Sequence, residues 1–176
     1  MNFTHTFANW ITLTRLLLTP IIGVLLVLGN PWAMPLFLIC ALADACDGWV
    51  ARALDCESSW GAIADPLADK FLSHTALFTL LLRTGNVLLA GMWCLILTRD
   101  LLISYWRLAG GGKTHKVSGM AKAKSAVLSI SLSLLIYGNL FTIDLVSYVG
   151  FMLLFISTFL SCTTLYSYTV LRKDES

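Results

Sequence analysis

An all-α bundle of six transmembrane helices, with a polar cavity open to the cytoplasmic leaflet, is the fold that this 176-residue sequence predicts. Three observations lead there. Hydrophobic residues make up 57% of the chain and charged residues 12%, with a mean hydropathy of +0.79, which is the composition of a polytopic membrane protein. Apolar runs recur between short polar turns, and a spanning helix needs about 20 such residues, so the length allows about six or seven spans. The acids Asp44, Asp47, Asp65 and Asp69 stand in one stretch, and ionisable groups at membrane depth persist mainly where they pair, bind ions or line a polar cavity. No room is left for a separate soluble domain, so residues 1–176 are read as one transmembrane domain.

Taken in order, the first span covers about residues 8 to 28, after a short polar–aromatic segment suited to the interface. Asn30-Pro31 marks a turn, and the second span runs from about 33 into the acidic stretch. A third begins near Gly61, with Pro66 tolerable in its first turn. Arg83 to Asn86 form the next turn, and the fourth span runs from about 87 to 108. Gly110, Gly111 and Gly112 open a loop, the fifth span follows from about 120 to 140, and the sixth ends before Arg172. With the N-terminus inside, the cytoplasmic segments carry Arg52, Lys113, Lys116, Lys122, Lys124, Arg172 and Lys173, against little beyond Arg83 outside. That asymmetry fits the positive-inside rule and puts the acidic stretch at the cytoplasmic ends of spans two and three.

The acidic stretch reads D-x2-D-G-x2-A-R-x8-G-x3-D-x3-D, formed by Asp44, Asp47, Gly48, Ala51, Arg52, Gly61, Asp65 and Asp69. On helices, the first two aspartates lie three apart and the last two four apart, so each pair shares a face. Gly48 and Gly61 allow the backbones to approach closely. Four hard oxygen ligands facing one another describe a site for Mg²⁺, Mn²⁺ or Ca²⁺. The pattern resembles the signature of the CDP-alcohol phosphatidyltransferase family, integral membrane enzymes, at all of its fixed positions. The resemblance implies transfer of a phosphatidyl group from CDP-diacylglycerol to an alcohol, with release of CMP and a two-metal site of Mg²⁺ or Mn²⁺. It further implies that Asp44, Asp47, Asp65 and Asp69 are metal ligands and that Asp69 takes the alcohol proton. Gly48, Ala51, Arg52 and Ser58 match positions that contact CDP-diacylglycerol in such enzymes. Asn9-x2-Thr12-x2-Arg15, at helical spacing on the first span, resembles a first-helix motif beside the nucleotide, which adds Asn9 and Thr12 to that set. A homodimer and a bacterial-type inner membrane, or its equivalent, are also implied.

Arg99-Asp100 in the fourth span, Arg107, and Ser118-x3-Lys122-x-Lys124 at the fifth form a second polar constellation. It is similar to the family's subgroup that uses glycerol 3-phosphate, which carries Arg-Glu, a further Arg and a Gly-Lys-x-Lys-Thr run. Here Asp100 stands for Glu, Ala121 for Gly and Ser125 for Thr, while Leu128 takes a place where Gln is usual. The expectation is that Arg99, Arg107, Lys122 and Lys124 hold the phosphate of a small phosphorylated acceptor. A basic surface held by anionic lipid headgroups is the other reading, and Asp100 or another helix could neutralise Arg99 structurally. Inositol phosphate, serine and phosphatidylglycerol stay open as acceptors, and an ion-coupled carrier is the alternative of a different class.

Other classes fall away. A formal charge of +2 without a basic–aromatic motif gives no reason to expect nucleic acid. Five cysteines without C-x-x-C spacing read as small buried hydrophobes, not as a disulfide frame or zinc site. No basic region precedes the first apolar run, so no removed signal peptide is expected. Gly112-Lys113-Thr114 lacks the earlier glycine and strand that a P-loop needs. His74, one turn beyond Lys70, is expected to be a hydrogen-bonded structural histidine.

Overall fold

Helices begin and end where the polar punctuation falls. The computed structural model describes the backbone of residues 3–54, 61–109 and 119–173, and side chains at 13–43, 67–105, 124–166 and 169. These residues form α1 (Phe3–Val27), α2 (Ala33–Leu54), α3 (Gly61–Thr84), α4 (Val87–Ala109), α5 (Gly119–Phe141) and α6 (Asp144–Lys173), with no strand among them. The polar–aromatic segment expected before the first span is continuous with α1, and α6 runs on to Lys173.

Short connections fold the helices into antiparallel hairpins. α1 ends at Gly29, whose φ of 69° is one that a residue with a Cβ rarely adopts. The Arg83 Nη1 at the end of α3 donates to the Leu26 carbonyl at 2.9 Å, which satisfies an acceptor that α1 leaves open. Gly85 supplies the positive φ between α3 and α4. Asn86 then caps α4, its Oδ1 accepting from the backbone of Leu88 at 2.9 Å and of Leu89 at 3.4 Å. The α1–α2, α3–α4 and α5–α6 turns therefore share one end of the bundle, and Leu54 of α2, Gly61 of α3, Ala109 of α4 and Gly119 of α5 stand at the other.

Packing distributes the apolar residues in two directions. Ile22, Leu26, Phe37, Leu77, Ile96, Leu132, Ile136 and Leu154 fill the interior, drawn from all six helices. Leu145, Tyr148, Met152, Phe155 and Phe159 instead point outward at intervals of three and four along α6, a stripe that water would not tolerate but lipid does. Without a hydrophobic force between helices in lipid, association depends on close backbone approach and polar contacts. α5 and α6 use both. A Cβ on Gly138 would lie 2.7 Å from the Ser147 backbone nitrogen, and one on Gly150 would lie 2.9 Å from that of Leu135. The Ser131 hydroxyl donates to the Gly150 carbonyl at 2.8 Å.

Val87–Tyr105, Lys124–Phe141 and Asp144–Tyr166 are long and apolar enough to cross a membrane. In α1 and α2 the apolar stretches Leu13–Val27 and Ala33–Ala43 run to the limits of the described side chains. The polar residues of the signature and of the first-helix motif fall on α1, α2 and α3 at the opposite end from the tight turns.

Candidate functional site

α4 reaches its polar segment at Arg99 and Asp100, three turns after it begins. Both side chains are buried. Adjacent residues on a helix do not normally face one another, yet the Arg99 guanidinium turns so that Nη1 donates to Asp100 Oδ1 at 2.7 Å. Its Nη2 donates to the Thr164 hydroxyl of α6 at 2.9 Å. Lys124 from the first turns of α5 donates through Nζ to the same Asp100 Oδ1 at 3.0 Å. On the other carboxylate oxygen, His74 of α3 places Nε2 at 3.5 Å from Oδ2. Lys70, one turn before His74, donates to the Ser104 hydroxyl at 2.7 Å and to the Asp100 carbonyl at 3.4 Å. One carboxylate thus gathers polar groups from α3, α4 and α5, and Arg99 links it to Thr164 of α6.

Charge decides what this cluster can do. Arg99 and Lys124 bring two positive charges against the single negative charge of the Asp100 carboxylate, and the Lys70 ammonium meets the Asp100 backbone carbonyl. A buried network with so uneven a balance is a place for an anion, because desolvated like charges repel unless something neutralises them. Donor capacity is also left over. Among the described residues, Arg99 Nε has no hydrogen-bond partner although it is buried. Guanidinium and ammonium donors are those suited to phosphate oxygens.

The acidic signature adjoins this cluster along α3. Asp69 immediately precedes Lys70 and is half-buried, and His74 follows it by five residues, or about 7.5 Å of helix rise. The backbone of α2 carries Asp44 and Asp47, and that of α3 carries Asp65 and Asp69, each pair within one helix as the spacing requires. α2 and α3 touch, so the two pairs belong to adjoining helices. A donor set made only of carboxylates suits a hard divalent cation.

Several expected site residues lie outside the described side chains: Asn9, Thr12, Asp44, Asp47, Gly48, Ala51, Arg52, Asp65, Arg107 and Lys122. Ser58 lies outside the described backbone as well. Of the expected acceptor residues, Arg99 and Lys124 are brought together on one oxygen atom. Lys124 was expected among the charges of the cytoplasmic segments; it is buried inside the bundle, because Asp100 gives it a partner there. Sequence reasoning gave no part to Ser104 or Thr164 and treated Lys70 only as a marker. A signal for Thr164 exists in the buried series Ser157, Ser161 and Thr164, spaced four and three on one face of α6. His74 does face a polar partner, but the partner is the charged centre of the cluster.

Comparison with known proteins now bears on this arrangement. The family model for CDP-alcohol phosphatidyltransferase matches residues 5–163. The chain belongs to the CDP-alcohol phosphatidyltransferase family. Within it, the chain is 32% identical to a protein of Rickettsia bellii, over 96% of both chains. Identity is 34% to one of Rickettsia prowazekii over the same shares, and 31% to one of Bacillus subtilis over 80% of each chain. All three relatives are named CDP-diacylglycerol–glycerol-3-phosphate 3-phosphatidyltransferase. As a member of a phosphatidyltransferase family, the chain is an enzyme of phospholipid synthesis, and its apolar helices fit a membrane protein.

Proposed function

We propose that the chain transfers the phosphatidyl group of CDP-diacylglycerol to glycerol 3-phosphate, giving phosphatidylglycerophosphate and CMP. The acceptor hydroxyl oxygen forms a bond to the phosphorus that carries diacylglycerol, and the bond from that phosphorus to the oxygen of CMP breaks. The hydroxyl proton passes to the Asp69 carboxylate. Asp44, Asp47, Asp65 and Asp69 would hold two divalent ions, Mg²⁺ or Mn²⁺, and such ions supply charge stabilisation for a leaving phosphate. Gly48, Ala51, Arg52 and Ser58, with Asn9 and Thr12 of α1, would bind the donor. Arg52 can make charge-assisted bonds to its pyrophosphate, and Gly48 lets it approach the backbone.

The observation that carries the acceptor is the gathering of Arg99 and Lys124 on the Asp100 carboxylate, whose other oxygen faces His74, five residues along α3 from Asp69. Serine or free glycerol gives no reason to gather several cations beside an acidic metal site, whereas a phosphate dianion does. Arg99 and Lys124 would hold that phosphate, with Arg107 and Lys122 nearby on the same helices. The names of the relatives support the same acceptor.

All six helices would span the membrane as one domain over residues 1–176, with the polar cavity and the active site at the cytoplasmic leaflet, in a homodimer. Lipid tails can then stay in the bilayer while the headgroup reaches Asp69. The deciding experiment is CMP release from CDP-diacylglycerol by purified protein in detergent with Mg²⁺ or Mn²⁺. Acceptors would be glycerol 3-phosphate, inositol phosphate, serine, phosphatidylglycerol and glycerol. Fast CMP release with glycerol 3-phosphate alone is the expected outcome. Release with another acceptor at equal rate would reassign the substrate, and no release with any acceptor would favour a carrier, since detergent sustains no gradient.

A further inference from the structure

Asp100 stands at the centre of the cationic cluster but cannot itself bind a phosphate, since a carboxylate repels one. Its effect on the site must run through the groups it holds. Arg99 Nη1 and Lys124 Nζ lie at 2.7 Å and 3.0 Å from the same oxygen, Oδ1. They come from different helices, α4 and α5, and two desolvated cations this close would separate if no anion stood between them. Oδ2 faces His74 on α3. The far side of the Arg99 guanidinium is fixed by Thr164 on α6. Both ends of this arginine are therefore tied down, and its Nε–H is left over, buried and without a protein acceptor among the described residues. Lys124 Nζ carries three protons, and one of them goes to Asp100. The remaining donors are already oriented before any anion arrives, and pre-organised donors lose less freedom on binding.

We propose that Asp100 is a positioning residue of the acceptor site: its carboxylate fixes Arg99 and Lys124 so that their spare donors are presented to a phosphate monoester. Lys70, tied to the Asp100 carbonyl and to Ser104, holds a further ammonium group beside the cluster. The inference rests on the proposed acceptor and names how its site is built. It also predicts a sign that simple charge counting does not. Removing the negative charge of Asp100 makes the cluster more positive, and a cluster acting only as a diffuse field would then bind a phosphate more tightly. A cluster acting through fixed geometry binds it more weakly.

The test is steady-state kinetics of Asp100→Asn and Asp100→Glu on the full chain, with CDP-diacylglycerol and either glycerol 3-phosphate or glycerol. In Asp100→Asn the KM for glycerol 3-phosphate is expected to rise about tenfold or more, as for loss of charge-assisted contacts, while the KM for CDP-diacylglycerol stays within about twofold. Asp100→Glu, which keeps the carboxylate, should recover most of that loss. The preference for glycerol 3-phosphate over glycerol should fall in Asp100→Asn; a merely damaged fold would lower both rates together. An acceptor KM that is unchanged or lower in Asp100→Asn overturns the proposal while leaving the acceptor assignment intact, provided the wild type selects the phosphorylated alcohol. A wild type that uses glycerol as well as glycerol 3-phosphate removes the acceptor assignment and this inference with it. If Asp100→Asn does not fold, Thr164→Val takes one hydroxyl from Arg99 without changing any charge. It should raise the acceptor KM severalfold at constant donor KM, and an unchanged acceptor KM there overturns the proposal equally.

Discussion

Among single residues, Asp69 and Lys124 have the most separable roles. In the proposed mechanism Asp69 takes the acceptor proton, a task that an amide cannot perform. Asp69→Asn is expected to keep the fold and much of the donor binding and to lose most activity; near-normal turnover at saturating metal would remove it from that role. Asp65→Asn should instead weaken metal dependence and donor binding together, read from the metal concentration for half-maximal rate and the donor KM. Lys124→Ala removes one of two cations on Asp100 Oδ1, and loss of one charge-assisted contact costs about 1.5–3 kcal/mol, roughly tenfold to more than a hundredfold in affinity. Its acceptor KM should rise with the donor KM nearly constant, and Arg107→Ala should behave alike. A shift in donor KM of the same size would return the basic residues to lipid anchoring. The signature aspartates were legible because their spacing is local, three and four residues within a helix. The partners of Asp100 were not, because Lys124 lies 24 residues away and Thr164 lies 65 from Arg99. Such pairings depend on which helices pack, and neither hydropathy nor helical period encodes that.

The individual helices were legible for the opposite reason. Each apolar run is bounded by residues with a definite backbone preference, such as Gly29, Gly85 and the capping Asn86, so sequence alone places their ends within a few residues. How tightly two of them approach is a different matter, since a glycine in an apolar helix can serve a contact or nothing. Gly138 and Gly150 serve the α5–α6 contact, where a Cβ would meet backbone atoms. Gly91 on α4 has open space within 4 Å of the same position. Gly138→Ala is therefore expected to destabilise by about 1–3 kcal/mol through overpacking against an unyielding backbone. Gly91→Ala should be neutral or stabilising by about 0.5–1 kcal/mol, because alanine loses less freedom in a helix. Thermal denaturation in one detergent, with CMP release as a second readout, separates the two. Equal losses would mean that α5 and α6 do not meet as closely as Gly138 and Ser147 indicate. The consequence reaches the site, since Lys124 and Thr164 stand on these two helices and their spacing follows the same contact.

At the scale of the molecule, the hairpin order assigns the two ends of the bundle different work. The three tight turns close one end, fixed by Gly29, Gly85 and the Arg83 contact to α1. The other end carries the C-termini of α2 and α4 and the N-termini of α3 and α5, and most of the basic residues lie in the sequence toward it. Positive charge on connecting segments marks the cytoplasmic side, and glycerol 3-phosphate and CMP are polar solutes that must enter and leave through water. Both considerations support the proposed orientation, with the signature end inside. Labelling of single cysteines tests this without reference to activity. The background must lack all five native cysteines, Cys40, Cys46, Cys56, Cys94 and Cys162, because Cys94 and Cys162, expected to be buried, are exposed, whereas Cys40 is buried as expected. Ser58→Cys and Thr114→Cys are expected to react with a membrane-impermeant thiol reagent only after the cytoplasmic side is opened. Thr84→Cys, at the exposed end of α3 beside Gly85, should react in intact cells. Ser58→Cys reacting only from outside would invert the orientation, and the acceptor would then have to arrive from the opposite compartment. Labelling of Ser58→Cys and Thr84→Cys from the same side would be more damaging, since α3 could not then span the bilayer, and with it would go the six-span reading that brings Asp69 and Lys124 to one face.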